Sequence, residues 1–234
     1  MSAKPEPIAV AVGEQATTAL HYSAGANSFD AALILGHGAG AGQQSTFMVD
    51  FAVGLSAMGL QVVTFNFLYA EQRRKVPDRA PVLESTFESV IGVVRERLGS
   101  ARRRLFIGGK SMGGRIATQI AASRPQLPIE GLVLLGYPLH PPGRPDQLRD
   151  KHLSAIGRPM LFVQGGRDTF GTPDELAPIL KTLTPSPTLQ AVDRGDHSFK
   201  IGKKDPAAQQ VVYANIQRAI IDWITQAPSR RPRV

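Results

Sequence analysis

A serine, an aspartate and a histidine stand in this sequence in an order and setting that suit acyl transfer. Ser111 lies in the string GKSMG at residues 109–113, where an apolar run gives way to a helical pattern. Asp168 and His197 follow it, each shortly after its own predicted strand. This order predicts that Ser111 is a nucleophile, that His197 is its general base and that Asp168 orients the histidine.

The Gly-Lys-Ser tripeptide in this string also ends the phosphate-binding loop of nucleotide hydrolases. The first glycine of that loop would have to stand at position 104, which holds an arginine. Arg104 therefore argues against nucleotide binding. The glycines at 109 and 113 instead suit a sharp strand-to-helix turn that exposes the serine hydroxyl above a sheet. Lys110 is expected to pack its aliphatic stem and to pair at the surface.

A second glycine-rich segment, residues 36–40, follows an earlier predicted strand. Its glycines let the backbone approach a substrate closely, and we expect the N–H of Ala39 to donate to the oxyanion that forms in acyl transfer. Met112 stands at the start of the helix after the serine, so its N–H is the expected second donor. A flexible glycine loop without this role is the alternative interpretation of residues 36–40.

Four further side chains are candidates for substrate binding. His37 belongs to the glycine-rich segment, and His140 ends a predicted strand. Arg73 and Arg74 lie in a basic loop, residues 71–75, at the carboxyl end of a predicted strand, where α/β proteins build their sites. We hypothesise that Arg73 or Arg74 binds an anionic group of the substrate; a solvated basic loop is the alternative.

The elements that must position these residues alternate along the chain. Short apolar runs bounded by turn residues alternate with apolar repeats at helical spacing, which predicts an α/β fold with a mainly parallel central sheet and helices on both faces. Thr172 and the residues after it are typical of a capped helix start. The predicted strands cover residues 8–12, 17–22, 31–35, 61–67, 105–108, 131–135, 160–164 and 188–192.

Composition limits the remaining possibilities. The chain has 234 residues, 42% of them apolar, which suits one domain over 1–234 with flexible tails at 1–7 and 228–234. It has no cysteine, no HExxH motif and no apolar run of membrane-spanning length, so we expect no metal, no cofactor and a cytoplasmic protein without a membrane partner. The net charge of +8 lies partly in basic clusters without interleaved aromatic residues, which favours a solvated surface over nucleic-acid binding. Oligomeric state cannot be read from the sequence.

The order of motifs resembles the α/β-hydrolase superfamily. It is most similar to small dienelactone-hydrolase-like members and to predicted bacterial hydrolases with an HGAG loop and a GKSMGG nucleophile elbow. The resemblance runs from about Ala31 to Trp223 and rests on the segments at 36–40, 109–113, 165–168 and 195–199. Dienelactone hydrolases use a cysteine nucleophile, and this chain has Ser111 at that position, which argues against transferring their particular substrate.

The resemblance and the residues together imply an α/β-hydrolase fold without a large lid, because the segment between the sixth and seventh strands is short. They imply a serine hydrolase that cleaves a small or exposed carboxylic ester or thioester through an acyl-enzyme, with a small acyl compound as its partner. The alternative is a catalytically weak or inactive protein in which this fold serves binding or scaffolding.

Overall fold

The fold is built on one eight-stranded sheet. The structure is a computed structural model that describes residues 4–25, 28–98, 103–202 and 205–227. The spatial order of the strands is β1-β2-β4-β3-β5-β6-β7-β8. The strands are β1 (Glu6–Val12), β2 (Gln15–Tyr22), β3 (Ala31–Gly36), β4 (Gln61–Phe65), β5 (Arg104–Lys110), β6 (Gly131–Leu135), β7 (Met160–Gly165) and β8 (Thr188–Val192).

The sheet is antiparallel only where β2 pairs with its two neighbours. β2 pairs antiparallel with β1 and with β4, and every other pairing is parallel. The carboxyl ends of the parallel strands therefore lie at the same end of the sheet. There Gly36 of β3 pairs with Gly109 of β5, and Lys110 of β5 pairs with Leu135 of β6. The loops that follow β3, β5, β6, β7 and β8 all lie at this end of the sheet.

Helices cover both faces, as predicted. In the described part of the chain they are α1 (Thr46–Ala57), α2 (Leu68–Glu71), α3 (Ala80–Leu98), α4 (Met112–Ser123), α5 (Pro173–Leu180) and α6 (Pro206–Gln226). The capped start of α5 is also confirmed, because Thr172 Oγ1 accepts from the Glu175 N–H while the Glu175 carboxylate accepts from the Thr172 N–H.

The alternation of side chains along the strands divides the core in two. In β3, Ile34 packs with α3 and α4 on one face, whereas Leu33 and Leu35 pack with α1 and α6 on the other. All six β3 residues are buried, which is the pattern of a central parallel strand covered on both sides. Among the described residues, no helix has the length and apolar character needed to cross a bilayer.

Several boundaries of tails and strands differ from the predicted ones. β1 begins at Glu6, so two residues of the expected tail at 1–7 belong to a strand, while residues 1–3 and the expected tail at 228–234 lie outside the described residues. β4 ends at Phe65 rather than at 67, because Phe67 precedes α2. The fully described segment between β6 and β7 has one short 3₁₀ turn, Leu153–Ala155, and no large lid.

Candidate active site

Ser111 occupies a strained turn between β5 and α4. Its backbone has φ 49° and ψ −112°, a conformation that costs a residue with a side chain of the order of 1–3 kcal/mol. The turn is possible because β5 and α4 approach the end of β3 very closely. A Cβ atom on Gly109 or Gly113 would overlap the backbone of Gly36, and Gly109 also has φ 156°. The glycines of the GKSMG string are thus required by close backbone contact.

The three residues predicted to act together form a hydrogen-bonded chain. His197 Nε2 lies 2.8 Å from Ser111 Oγ. Nδ1 of the same ring lies 2.9 and 2.8 Å from the two carboxylate oxygens of Asp168. Since a carboxylate only accepts, the Nδ1–H donates to Asp168, and Nε2 is left to accept the proton of the serine hydroxyl. This is the arrangement that a serine nucleophile needs.

The Asp168 carboxylate is fixed by two further donors. The Phe170 N–H donates to Oδ1 at 2.8 Å, and Gln164 Nε2 donates to Oδ2 at 2.9 Å. Gln164 is fully buried at the end of β7, and its Oε1 accepts from the Tyr137 N–H at 2.8 Å. The amide thereby ties the loop after β6 to the loop after β7. Gln164 was not among the predicted site residues, although a lone polar residue at the end of an apolar strand indicates such a role.

The loop after β8 presents His197 to the serine. The Asp196 side chain accepts from the N–H groups of Ser198 and Lys200, which closes a tight turn around the histidine. Phe170 packs against the imidazole, with ring centroids 4.3 Å apart. The histidine side chain remains 22% exposed, so substrate can reach it.

The two expected oxyanion donors lie beside the serine. Ala39 and Met112 both line the same cleft as Ser111 and His197. Met112 is the first residue of α4, and the free N–H groups at a helix start favour negative charge. The Ser111 N–H itself is used in the sheet, where it donates to Leu135 O at 2.9 Å.

His37 does not line this cleft, which differs from its expected role in substrate binding. It is fully buried, and its Nε2 accepts from the Phe67 N–H at 3.2 Å. Its Nδ1 therefore carries the proton and donates to Gly38 O at 2.8 Å. The neutral ring holds the glycine-rich segment against the backbone after β4, so His37 supports Ala39 instead of contacting substrate.

The buried His37 is expected to make stability depend on pH. Burial lowers the pKa of its imidazole to about 4, and its hydrogen bond to Gly38 opposes this only in part. Between pH 6.5 and about 4 the unfolded chain binds a proton that the folded chain does not, so the free energy of unfolding falls as the pH falls. The full span corresponds to about 3 kcal/mol.

We expect His37→Phe to remove this part of the pH dependence. It should also lower the free energy of unfolding at neutral pH by about 1–3 kcal/mol, because buried backbone groups of Phe67 and Gly38 lose their partner. Urea unfolding of both proteins across the acidic range measures the difference. Curves of stability against pH that run parallel in the two proteins would contradict the assignment.

Lys110 is buried, which makes the expected surface pairing wrong. Strand alternation places its side chain on the face covered by α1, where Nζ lies 5.7 Å from the ring centre of Phe47. Among the described residues Nζ has no hydrogen-bond partner. Burial lowers the pKa of Lys110 to about 8, although the charges of Asp168 and Asp196 oppose this shift. A cation thus lies close beneath the catalytic candidates.

The serine opens onto a cleft of about 550 Å³. Three residues predicted to bind substrate do not line it: Arg73, Arg74 and His140. Arg74 pairs with Asp78 at 2.6 Å, and Arg73 is exposed. His140 is buried, with Nδ1 2.9 Å from Pro141 O and Nε2 3.3 Å from Glu175 Oε1.

Two arginines that were not among the predicted site residues line the cleft. Arg115 lies one helical turn beyond Ser111 on α4, and Arg149 lies in the segment between β6 and β7. The spacing of four residues from the serine was a usable signal for Arg115, because residues i and i+4 share a helix face. Arg149 gave no such signal, since its loop folds back from a distance in sequence.

Comparison with known proteins agrees with this architecture. The sequence model of an alpha/beta hydrolase domain family matches residues 29–225, and the chain belongs to that family. Among solved structures it is similar to a serine hydrolase without a lid from Xanthomonas campestris, with a TM-score of 0.73, 17% identity, and 99% of each chain covered. A dienelactone hydrolase from Anabaena variabilis gives a TM-score of 0.69 at 21% identity, covering 94% of this chain and 99% of its own.

An esterase from Pyrococcus furiosus is also similar, with a TM-score of 0.76 at 13% identity, covering 97% of this chain and 92% of its own. At these identities the similarity establishes the fold. The predicted α/β-hydrolase fold without a large lid is confirmed by the family match and by the topology of the sheet.

Proposed function

We propose that this protein is a serine hydrolase that cleaves a small or exposed carboxylic ester or thioester through an acyl-enzyme. The observation that carries the proposal is the continuous hydrogen-bonded chain from Ser111 through His197 to Asp168, at a strained turn facing an open cleft. A positive φ at a residue with a side chain is costly, so its occurrence at the serine that bonds His197 is a reason to assign Ser111 a function.

The proposed reaction has two halves. Ser111 Oγ attacks the carbonyl carbon while His197 Nε2 takes its proton, and Asp168 stabilises the imidazolium that results. His197 then gives the proton to the leaving alcohol or thiol, the carbon–oxygen or carbon–sulfur bond breaks, and the acyl group stays on Ser111. A water molecule, deprotonated by His197, then attacks the acyl-enzyme. The bond to Ser111 Oγ breaks, His197 returns the proton to Oγ, and the acid leaves. The reaction requires no cofactor.

The negative charge of each tetrahedral intermediate would be stabilised by the N–H groups of Ala39 and Met112. Removing one donor of this kind costs about 3–4 kcal/mol of transition-state stabilisation in comparable enzymes. His37 contributes indirectly, because its hydrogen bonds to Gly38 and Phe67 hold the segment that carries Ala39.

The size of the substrate follows from the access to the serine. The cleft of about 550 Å³ is open to solvent, and no large lid covers it. A small ester can enter it whole, and an exposed ester on a larger molecule can reach Ser111 from outside. The esterase from Pyrococcus furiosus shows that a similar fold supports ester hydrolysis in another protein.

A fluorophosphonate probe tests the proposal directly. It phosphonylates an activated serine, so we expect stoichiometric labelling of the wild type at Ser111, identified by peptide mass spectrometry, and no labelling of Ser111→Ala. Ser198→Ala is a matched control, since Ser198 lines the same cleft and should leave labelling intact. A folded wild-type protein that stays unlabelled would count against the enzyme and favour a binding or scaffold role.

A further inference from the structure

The cleft at Ser111 is strongly cationic. Arg115, Arg149 and Lys110 all line it. Among the described residues that line it, Asp78 is the single carboxylate, and it is already bonded to Arg74 at 2.6 Å and to the Tyr69 N–H at 3.0 Å. A neutral acyl chain would need none of these positive charges. The imbalance points to a negatively charged ligand.

Arg115 is placed to reach a substrate bound at Ser111. Its N–H donates to Ser111 O at 3.0 Å in the first turn of α4, so the two residues lie on one face of the helix. Helical side chains lean toward the helix amino terminus, which here is the end that carries the serine. Within the described residues the guanidinium forms no hydrogen bond or ion pair. Its five donors are available for a ligand.

Arg149 approaches the same space from another element. Its backbone is fixed on both sides, because its N–H donates to Leu139 O at 2.8 Å and its carbonyl accepts from Tyr137 Oη at 2.6 Å. To the described residues its guanidinium makes one long hydrogen bond, 3.4 Å to Pro138 O. Burial and then the charge of Arg115 lower the pKa of Arg149. The two cations therefore repel each other, and a bound anion would relieve that repulsion.

The two carboxylates near these arginines, Glu84 and Asp150, do not line the cleft. His152 Nε2 lies 2.8 Å from Thr118 Oγ1, and burial followed by the charge of Arg115 lowers the pKa of His152. Burial raises the pKa of the Glu84 carboxyl on α3, and the charges of Arg124 and Arg115 oppose this shift.

We infer that Arg115 and Arg149 together bind an anionic group, a carboxylate or a phosphate, carried by the ester or thioester that Ser111 cleaves. The inference rests on the proposed function, and it assigns recognition of the anionic group to Arg115 and Arg149 inside the cleft instead of to Arg73 or Arg74. Guanidinium groups suit this role because they form paired hydrogen bonds with carboxylate and phosphate oxygens. The anionic group belongs either to the acyl part or to the leaving group.

Two pairs of esters distinguish these sources. For the acyl part the pair is mono-4-nitrophenyl glutarate and neutral 4-nitrophenyl hexanoate. For the leaving group the pair is 4-butyryloxybenzoate and neutral phenyl butyrate. In the pair that carries the anionic group on the correct part of the ester, we expect Arg115→Gln/Arg149→Gln to lower kcat/KM for the anionic ester by about 10- to 100-fold. This is the effect expected from the loss of charge-assisted hydrogen bonds. The neutral ester of that pair should change little.

Three further variants make the test specific. Arg144→Gln removes an exposed arginine from the same segment and should preserve the preference. Arg115→Gln alone removes a side chain that makes no hydrogen bond to the described residues, so it tests the inference even if the double variant unfolds. Arg115→Lys keeps the charge without the planar guanidinium and should recover only part of the preference. Equal relative turnover of anionic and neutral esters by wild type and variants in both pairs would overturn the inference.

A binding measurement separates this inference from the proposed function. Calorimetric titration with glutarate and with inorganic phosphate needs no turnover, and we expect at least one to bind the wild type and to bind Arg115→Gln/Arg149→Gln at least tenfold more weakly. Binding without fluorophosphonate labelling would overturn the hydrolase and keep the anion site. Labelling together with neither anion preference nor anion binding would overturn the anion site and keep the hydrolase.

Discussion

Ser111→Ala, His197→Ala and the double variant are expected to lower kcat for a turned-over ester by nearly the same factor, about 10⁴ to 10⁶. The two side chains share one proton, since His197 Nε2 lies 2.8 Å from Ser111 Oγ. Removing either one therefore stops the same step, and removing the second costs little more. Steady-state kinetics with an activated 4-nitrophenyl ester measures all three proteins on one scale.

A second histidine provides the control for this prediction. His21 lies on β2, where its Nε2 bonds Gln61 Oε1 at 2.7 Å, away from the cleft. His21→Ala should leave kcat essentially unchanged. Additive losses in the double variant, or a His197→Ala enzyme that keeps most of its activity, would show that the two residues do not act as a unit.

Gly113→Ala is expected to have the second large effect, on both stability and activity. The added methyl would overlap the carbonyl group of Gly36, a backbone group at the end of β3 that is held between β4 and β5. Neither α4 nor β3 can move away without breaking its own hydrogen bonds, so we expect the free energy of unfolding to fall by about 3 kcal/mol or more. A shift of the turn by about 1 Å would also lower kcat at least about 100-fold. Denaturant unfolding and ester kinetics measure the two effects.

Gly92 provides a matched glycine-to-alanine control. It is an exposed residue inside α3, and a Cβ atom there would meet nothing within 4 Å. Gly92→Ala should raise the free energy of unfolding by about 0.5–1 kcal/mol, because alanine favours the helix. If Gly113→Ala were as stable and active as the wild type, the close contact between α4 and β3 would not control the turn.

Much of the fold could be predicted because its signals are local. Strands β3, β5, β6 and β7 are short apolar runs buried on both faces, and the capped start of α5 has a local side-chain pattern. The order of Ser111, Asp168 and His197 could be read in the same way, since each follows a strand. Their mutual contacts, by contrast, depend on the parallel order of strands that lie far apart in sequence.

The four residues predicted to bind substrate do not line the cleft, and the reason is physical. Arg73 and Arg74 stand at the correct end of a strand, but the sequence does not show that Arg74 turns to Asp78 or that the cleft lies elsewhere. His37 belongs to the right loop, but its ring points into the core and bonds backbone. Which way a side chain faces at the edge of a sheet is set by the packing of neighbouring loops.

The sequence by itself determined the alternation of strands and helices, the sharp turn at 109–113 and the identity of the candidate catalytic side chains, because these depend on neighbouring residues. Only the tertiary structure decided that Gln164 holds Asp168, that Lys110 is buried and that Arg115 and Arg149 meet at the cleft. Each of these depends on contacts between segments that are distant in the chain, and the packing of the whole sheet is what brings those segments together.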